Sequence, residues 1–510
     1  MKKTRMALLC FVLALSLLLT SCADNQSENS ADSTSASESM SSSESTSEST
    51  SSSENTSEST SSSESTLNPD NNTTENSGLQ FTVNADGKTC TLTSFGNSSD
   101  TDIVIPETFE GYTVTVIGNS VFKNNSTITS VRIPDTVTTI EDYAFFYCRL
   151  ESITIPDSVK NIGKYAFARC MIAKTLELGN GVENIDDNAF EGCSFSSIRI
   201  PKNVKKLGNY AFYRCGSATE ITIENGVESI GDFAFHSCKK IKEISIPDSV
   251  TSIGKKIFTD CVELEHVVIG NGISDLGNTF TRINSLKSIV LGNGITKIEA
   301  RAFEECYHLE SILIPESVTE IASHAFAYCY NLKNLEIPNS VQTIGDYAFW
   351  HCNQLTTVTL PDGLTHISNG LFSDCMNLNT IIIPESVTSF GSDVFSRCSS
   401  LTSFTIPDTV TSIGAWLFIN CTMLETVNIG NTLSTIPENT FKNCISLKNV
   451  TLNKNITSIG NSAFESCITL QNIHFNGTKA EWEMVQKNSS WKPSANVKVI
   501  ICSDGTIVLE

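Results

Sequence analysis

The chain has 510 residues, of which 40% are hydrophobic, and its formal net charge is −22 at pH 7. That apolar share is sufficient for a packed body. The acidic balance argues against nucleic acid as a partner, because phosphate binding needs clustered Lys and Arg. Composition alone therefore predicts a soluble, acidic protein whose surface is well solvated.

The N-terminus has the pattern of a cleaved export signal. Lys2, Lys3 and Arg5 precede an apolar stretch that runs from Ala7 to Leu19. About thirteen residues are too few to span a bilayer comfortably, so an export signal fits better than a transmembrane helix. Residues 1–21 are predicted to be the signal peptide.

The end of this stretch, Leu19-Thr20-Ser21-Cys22, resembles the bacterial lipobox. The resemblance implies that Cys22 is the lipid-attachment residue and becomes the first residue of the mature protein. Two acyl chains give stable anchoring where one gives marginal binding. We therefore expect membrane contact through the lipid anchor only, on the extracellular face of a bacterial cell membrane. An ordinary signal peptide with an incidental cysteine is the alternative.

Residues 22–78 are predicted to be a disordered spacer rich in Ser, Thr and Glu. Themes such as Ser-Glu-Ser-Thr recur there, with almost no apolar residue. Nothing in the segment offsets the entropy of ordering it. A flexible coil of this length spans roughly 40 Å and would lift a folded domain away from the membrane, through the wall.

A 23-residue period dominates the rest of the chain. Phenylalanines recur at intervals of 23 residues twelve times and of 22 residues three times. They are Phe122, Phe145, Phe167, Phe190, Phe212, Phe235, Phe258, Phe280, Phe303, Phe326, Phe349, Phe372, Phe395, Phe418, Phe441 and Phe464. Such a period is typical of stacked supersecondary units.

One unit, residues 309–329, reads LESILIPESVTEIASHAFAYC. Its Leu-x-x-Ile-x-Ile segment has the two-residue alternation of a strand with one buried face, and Pro315 removes a donor where pairing should stop. Strands repeated once per unit can pair only in parallel. The fold class predicted is an α/β-type repeat solenoid of about 16 units of 22–23 residues, with a curved parallel sheet on the concave face.

The recurring pattern LxxIxIPxxVxxIGxxAFxxC resembles the treponemal-type, or BspA-like, leucine-rich repeat family of bacterial surface proteins. The resemblance covers about residues 128–467. It implies a leucine-rich repeat array, placed at 122–474, between an N-terminal cap at 79–121 and a C-terminal cap at 475–510. Caps are needed because an open end would expose the core and an unpaired strand edge.

Fourteen units place a cysteine three residues after the phenylalanine; Asn125 and Ile283 are the exceptions. The spacing is unlike that of a zinc site, so no metal is predicted. Because Ile283 shows that the position is apolar, we expect reduced, buried thiols. Neighbouring thiols would lie roughly 5 Å apart, so disulfides between units stay an open alternative.

Two sets of residues in the central units are candidate binding residues. Val268, Val290 and Leu313 occupy the outward position between the two Ile-like residues of consecutive strands, where an apolar strip is informative. Simple β-propensity is the alternative explanation.

The second set is aromatic and lies near the cysteine position. Tyr307, Tyr328, Tyr330 and Trp350 combine apolar rings with polar groups, as contact residues often do. Packing against neighbouring turns is the alternative explanation.

No catalytic motif was found: there is no Gly-x-Ser-x-Gly, phosphate loop or His-Glu-x-x-His. No catalytic residue and no cofactor is therefore predicted. The family resemblance implies adhesion to a protein or glycan ligand of the extracellular-matrix, plasma or cell-surface type. A polysaccharide-binding or structural surface protein, or a hydrolase, are the alternatives.

Overall fold

The structure, a computed structural model, describes residues 78–96, 99–492 and 496–509. The predicted signal peptide, Cys22 and the predicted spacer lie outside these residues, apart from residue 78. The chain divides into Met1–Asn72 and Thr73–Glu510, and every described residue belongs to the second unit. In the described ranges, no helix has the length and apolar character needed to cross a membrane.

The described body is a parallel β-solenoid of about 18 turns, which confirms the predicted repeat solenoid. Equivalent positions of neighbouring turns pair directly, as Ser288 does with Ser311. The strands of this first ladder are Asp102–Val104, Ser130–Arg132, Ser152–Ile155, Thr175–Leu178, Ser197–Ile200, Glu220–Ile223, Glu243–Ile246, His266–Ile269, Ser288–Val290, Ser311–Leu313, Asn334–Glu336, Thr357–Thr359, Ser403–Thr405, Thr426–Asn428, Asn449–Leu452, Asn472–Phe475 and Val499–Cys502.

Burial along the first ladder follows the two-residue alternation. In Ser152–Ile155 the two isoleucines are buried, and Thr154 between them is exposed. Side chains of a strand point alternately to opposite faces, so the isoleucines line the core and the residue between them faces outward. The outward position is exposed in turns such as Ser152–Ile155 and half-buried in others such as His266–Ile269.

The Val-x-x-Ile segments form a second parallel ladder of two-residue strands. The sequence indicated burial there but not strand pairing. The strands are Thr139–Ile140, Asn161–Ile162, Asn184–Ile185, Lys206–Leu207, Ser229–Ile230, Ser252–Ile253, Lys297–Ile298, Glu320–Ile321, Thr343–Ile344, His366–Ile367, Ser389–Phe390, Thr435–Ile436, Ser458–Ile459 and Gln486–Lys487.

The segment around each phenylalanine, from two residues before it to two after it, is here called the turn face. Its backbone N–H groups bond to the next turn: Phe326 donates to the carbonyl of Ala348 and Tyr328 to that of Trp350, both at 2.8 Å. The first and last positions of the turn face adopt positive φ, as at Tyr347 (58°) and His351 (59°). Such angles cost about 1–3 kcal/mol each, so the hydrogen bonds between turns must hold them.

The recurring phenylalanines form one continuous column in the core. Consecutive rings from Phe122 to Phe464 have centroids 4.8–6.2 Å apart, and most pairs are stacked. Phe95 lies 5.4 Å from the first ring, and Trp491 meets the last edge-on at 5.9 Å. Offset stacking adds to the burial of apolar area, so the column stabilises the contact between turns.

Each end of the described body carries an antiparallel pair. Gln80–Val83 pairs with Thr89–Ser94, and Val499–Cys502 pairs with Gly505–Val508. The remaining N-terminal strands are Thr108–Phe109 and Tyr112–Ile117. Lys479–Met484 is the single α-helix of the described residues, and a Thr478–Glu481 capping box begins it.

All sixteen described cysteines are free and buried. The fourteen in the repeats each donate a hydrogen bond to the carbonyl of the phenylalanine in the preceding turn; Cys329, for example, bonds to Phe303 at 3.2 Å. The thiol thus fills a small apolar site and also satisfies a buried acceptor. Burial raises the pKa of Cys306 and Cys261 to about 12.

These raised pKa values predict that thiols such as Cys306 and Cys261 are chemically inert while the chain is folded. A pKa of about 12 lowers the thiolate fraction at pH 8 by about 1000-fold relative to an ordinary thiol, and the thiolate is the reactive form. Ellman's reagent at pH 8 should therefore react very slowly with the native protein and rapidly after unfolding in guanidinium without reductant. Rapid reaction of several thiols in the native protein, or few thiols after unfolding, would contradict the reduced ladder.

Candidate functional site

The structure brings Val268, Val290 and Leu313 into one row, here called the apolar strip. Val268 pairs with Val290, and Val290 pairs with Leu313, on consecutive strands of the first ladder. Leu313 is 38% exposed, whereas both valines are half-buried. The strip is therefore contiguous, but Leu313 is its most accessible member.

Two ion pairs join residues that directly precede the strands of the strip or, for Lys333, the next strand of the ladder. Lys287 is 2.8 Å from Glu265, and Lys333 is 2.8 Å from Glu310. The hydrogen bond from each lysine holds the pKa of its glutamate below the usual range. Exposed pairs contribute little stability, about 0–1 kcal/mol each, but they place fixed charges around the strip.

The four predicted aromatic residues form a chain of ring contacts, here called the aromatic cluster. Tyr307 stacks on Tyr330 at 5.1 Å, Tyr330 meets Tyr328 edge-on at 6.1 Å, and Tyr328 lies 4.8 Å from Trp350. All four are half-buried. They pack against neighbouring turns and still present an edge to solvent.

Polar contacts hold the cluster in place. The hydroxyl of Tyr307 donates to Glu305 at 3.0 Å, and Arg282 binds the same glutamate at 3.0 Å. Burial, followed by the nearby Glu305, raises the pKa of Tyr307. The ring therefore stays a neutral hydrogen-bond donor at physiological pH.

The apolar strip and the aromatic cluster occupy different segments of the turn. The strip lies on the first ladder, Tyr328 and Trp350 lie on the turn face, and Tyr307 and Tyr330 directly follow the cysteine position. They are thus two surfaces and not one site.

Sequence reasoning missed a third group of residues on the turn face. The side chain of Asp374 is 3% exposed and accepts hydrogen bonds from Trp350 Nε1 and from Arg397, both at 3.2 Å. Trp416 lies nearby and is 38% exposed. The only sequence signal was a glycine, Gly370, in a position that holds Tyr347 in the preceding unit.

Side chains of the metal-ligating types are dispersed in the parts of the chain that the structure describes. Nowhere in 78–96, 99–492 or 496–509 are three His, Cys, Asp or Glu side chains grouped closely enough to hold a metal ion. Several carboxylates instead accept hydrogen bonds from neighbouring turns, as that of Asp346 does from the backbone N–H of Asn369 at 2.9 Å.

Comparisons with known proteins identify the repeat. Residues 88–218, 205–333, 319–447 and 365–486 match the family model described as BspA type Leucine rich repeat region (6 copies). A search of curated proteins gave no match.

A solved structure of 30% identity agrees with this assignment, and a second shows a likeness only. A leucine-rich repeat protein from Bacteroides ovatus is 30% identical, with a TM-score of 0.53, over 74% of this chain and 94% of that one. A leucine rich cell surface protein from Faecalibacterium prausnitzii is 25% identical, with a TM-score of 0.38, over 81% and 97%. The family model spans most of the described body, so this chain belongs to the BspA-type leucine-rich repeat family.

Proposed function

We propose that this protein is a lipid-anchored, adhesin-like binding protein of the bacterial cell surface that engages macromolecules of host or neighbouring cells through its repeat body. Membership of a family of leucine-rich repeat proteins supports a binding scaffold. The observation that carries the proposal is the apolar strip, which is continuous over three paired strands.

The apolar strip stands out against its own column. The outward position holds Thr222 and Ser245 in the two turns before the strip, and Glu336 and Thr359 in the two turns after it. Protein interfaces commonly have an apolar centre with a polar rim. The strip, with ion pairs beside it, has that arrangement and fits a protein ligand.

The role of the repeat body is binding and not catalysis. The N-terminal segments hold that body at the cell surface. A stack of near-identical turns distributes its polar groups along a surface, whereas catalytic sites usually enclose substrate in a pocket. Lipid attachment at Cys22 would tether the chain to the membrane, and the spacer at 22–78 would hold the body away from it.

A triple substitution tests the strip. The variant of the full chain combines three substitutions, Val268→Thr, Val290→Thr and Leu313→Thr. An immobilised panel of collagen, laminin and mucin should capture this variant at least tenfold less strongly than the unmodified chain. Threonine already occupies this position at Thr154, Thr222 and Thr359, so it suits the strand. A tenfold loss corresponds to about 1.4 kcal/mol, which is modest for the centre of an interface.

The matched control changes the same column elsewhere. Thr405→Ser, Asn428→Ser and Thr451→Ser should leave both capture and the melting temperature unchanged. If the strip variant is captured as strongly as the unmodified chain, the strip is not the contact surface. The same conclusion follows if the strip variant and the control variant lose equal amounts of capture.

A further inference from the structure

A groove of about 400 Å³ crosses the turn face between Tyr347 and Trp416. It exists because the outward column two residues before each phenylalanine changes size: Tyr347 is followed by Gly370, then Asp393, then Trp416. Gly370 has a φ of 57°, and a Cβ at this position would collide with the ring of Tyr347. The missing side chain lets that ring lie over Gly370 and leaves space beyond it.

Aromatic rings wall both ends of the groove. At one end Tyr347 meets Trp350 edge-on at 5.7 Å. Trp416 stands at the other end, 38% exposed and held at a φ of 59°. Three turns separate Tyr347 from Trp416, which corresponds to roughly 14 Å at the usual spacing of paired strands.

A rigid carboxylate lies at the floor. Asp374 accepts from Trp350 Nε1 at 3.2 Å and from Arg397 at 3.2 and 3.4 Å, and His351 Nε2 lies 3.7 Å away. These contacts use the hydrogen-bonding capacity of Asp374 and fix the orientation of both Trp350 and Arg397. The walls and floor are therefore preorganised, which lowers the entropic cost of binding.

Other polar groups in the groove have unused hydrogen-bonding capacity. Ser396 is 6% exposed and, within residues 99–492, its hydroxyl makes no hydrogen bond. The carboxylate of Asp393 accepts none there either, and burial raises its pKa. Asn420 accepts from Asn443 at 2.8 Å, which leaves its own amide N–H groups to donate. The groove thus offers acceptors, donors and a hydroxyl that can do both.

This combination selects among ligand chemistries. An anionic group would meet Asp374 and Asp393, and a cationic group would meet Arg397, which is 58% exposed at its side chain. A purely apolar group would bury Ser396 and Asp393 without partners, at a cost of about 1–3 kcal/mol for each. A neutral polyhydroxyl ligand avoids all three penalties, because its hydroxyls both donate and accept and its C–H faces pack on aromatic rings.

We propose that the groove between Tyr347 and Trp416 is a binding site for neutral oligosaccharides. One sugar ring lies against Trp350 and Tyr347 and another against Trp416, while hydroxyls bond to Asp393, Ser396 and Asn420. The site is separate from the apolar strip and goes beyond the proposed contact with protein.

The test titrates the full chain with cellohexaose, mannohexaose, xylohexaose and maltohexaose. Binding is followed by calorimetry and by tryptophan fluorescence, since two of the four tryptophans line the groove. At least one neutral hexasaccharide should bind with a sub-millimolar Kd and change the fluorescence. Trp416→Ala and Asp393→Ala should each weaken that binding at least tenfold, with unchanged melting temperature.

Matched controls separate binding from folding. Tyr165→Ala removes a ring from the same column on a distant turn and should leave sugar binding unchanged. Asp393→Asn is a second, isosteric variant that removes the charge without a cavity and should retain more affinity than Asp393→Ala. The triple threonine variant of the apolar strip should bind sugar normally, so failure of either proposal is seen independently.

The proposal is overturned by any of three results. The first is the failure of every neutral hexasaccharide to bind with a Kd below about 1 mM to a chain that melts cooperatively. The second is binding that survives both Trp416→Ala and Asp393→Ala. The third is preferential binding of a lysine-rich peptide or a heparin hexasaccharide, which would indicate a charged partner instead.

Discussion

Replacing Phe145 by Ala is expected to destabilise the folded body by about 3–5 kcal/mol, the usual cost of removing a buried aromatic ring. Phe145 is completely buried and stacks on Phe122 at 4.8 Å and on Phe167 at 4.9 Å. The substitution leaves a cavity in the column that neighbouring turns share. Because turns contact only their neighbours, the loss should be greatest near residues 122–167.

The adjacent Phe146 is a matched control. It is half-buried and packs at the surface on Tyr143 and beside Lys123. Phe146→Ala should cost about 1 kcal/mol or less. Guanidinium unfolding, with hydrogen exchange to localise the effect, compares the two variants. Equal losses would show that the phenylalanine column does not support the stack.

Deleting residues 476–510 is expected to cause self-association and a lower melting temperature. The last turn of the array would lose the strand Val499–Cys502, which pairs with Asn472–Phe475, and the ring of Trp491 that covers Phe464. An unpaired strand edge beside exposed core residues is a template for aggregation. Size-exclusion chromatography with light scattering checks this; a monomeric deletion variant with unchanged melting would disprove it.

Point variants on the C-terminal helix separate capping from simple shortening. Trp482 is 1% exposed and lies 5.3 Å from Phe475, whereas Met484 is 81% exposed. Trp482→Ala should lower stability by about 3–5 kcal/mol. Met484→Ala should change it by less than about 0.5 kcal/mol. A similar effect of the two variants would argue against a closing role for this helix.

The repeat could be predicted from the sequence because every turn needs apolar residues at the same positions. A phenylalanine every 22 or 23 residues, together with an alternating Ile-x-Ile segment, predicts stacked parallel strands with one buried face, and both features are present. The cysteine position was also predicted to be buried. The hydrogen bond from this cysteine to the phenylalanine carbonyl of the preceding turn was not predicted. That contact joins residues 25–26 apart and depends on the relative height of two turns.

The turn face was not predictable from the pattern. Tyr328 and Trp416 have positive φ. Their residue types disfavour this conformation, and no local sequence signal indicates it. These angles are held by the hydrogen bonds between the backbones of neighbouring turns, which form only when the array is stacked. The same stacking made the two valines of the apolar strip less accessible than their column position suggested.

The sequence by itself determined the repeat length, the buried positions and the order of the strands, because these follow from the periodic spacing of apolar residues within one turn. Only the tertiary structure decided which side chains at non-equivalent positions of different turns meet. In the sequence, Gly370 is one position of its column that lacks a side chain. Stacking of the turns places this position between Tyr347 and Trp416, and a groove over Asp374 results. The repeat period predicts that equivalent positions of neighbouring turns are adjacent, but contacts between non-equivalent positions depend on the relative height of the turns, which local sequence does not specify.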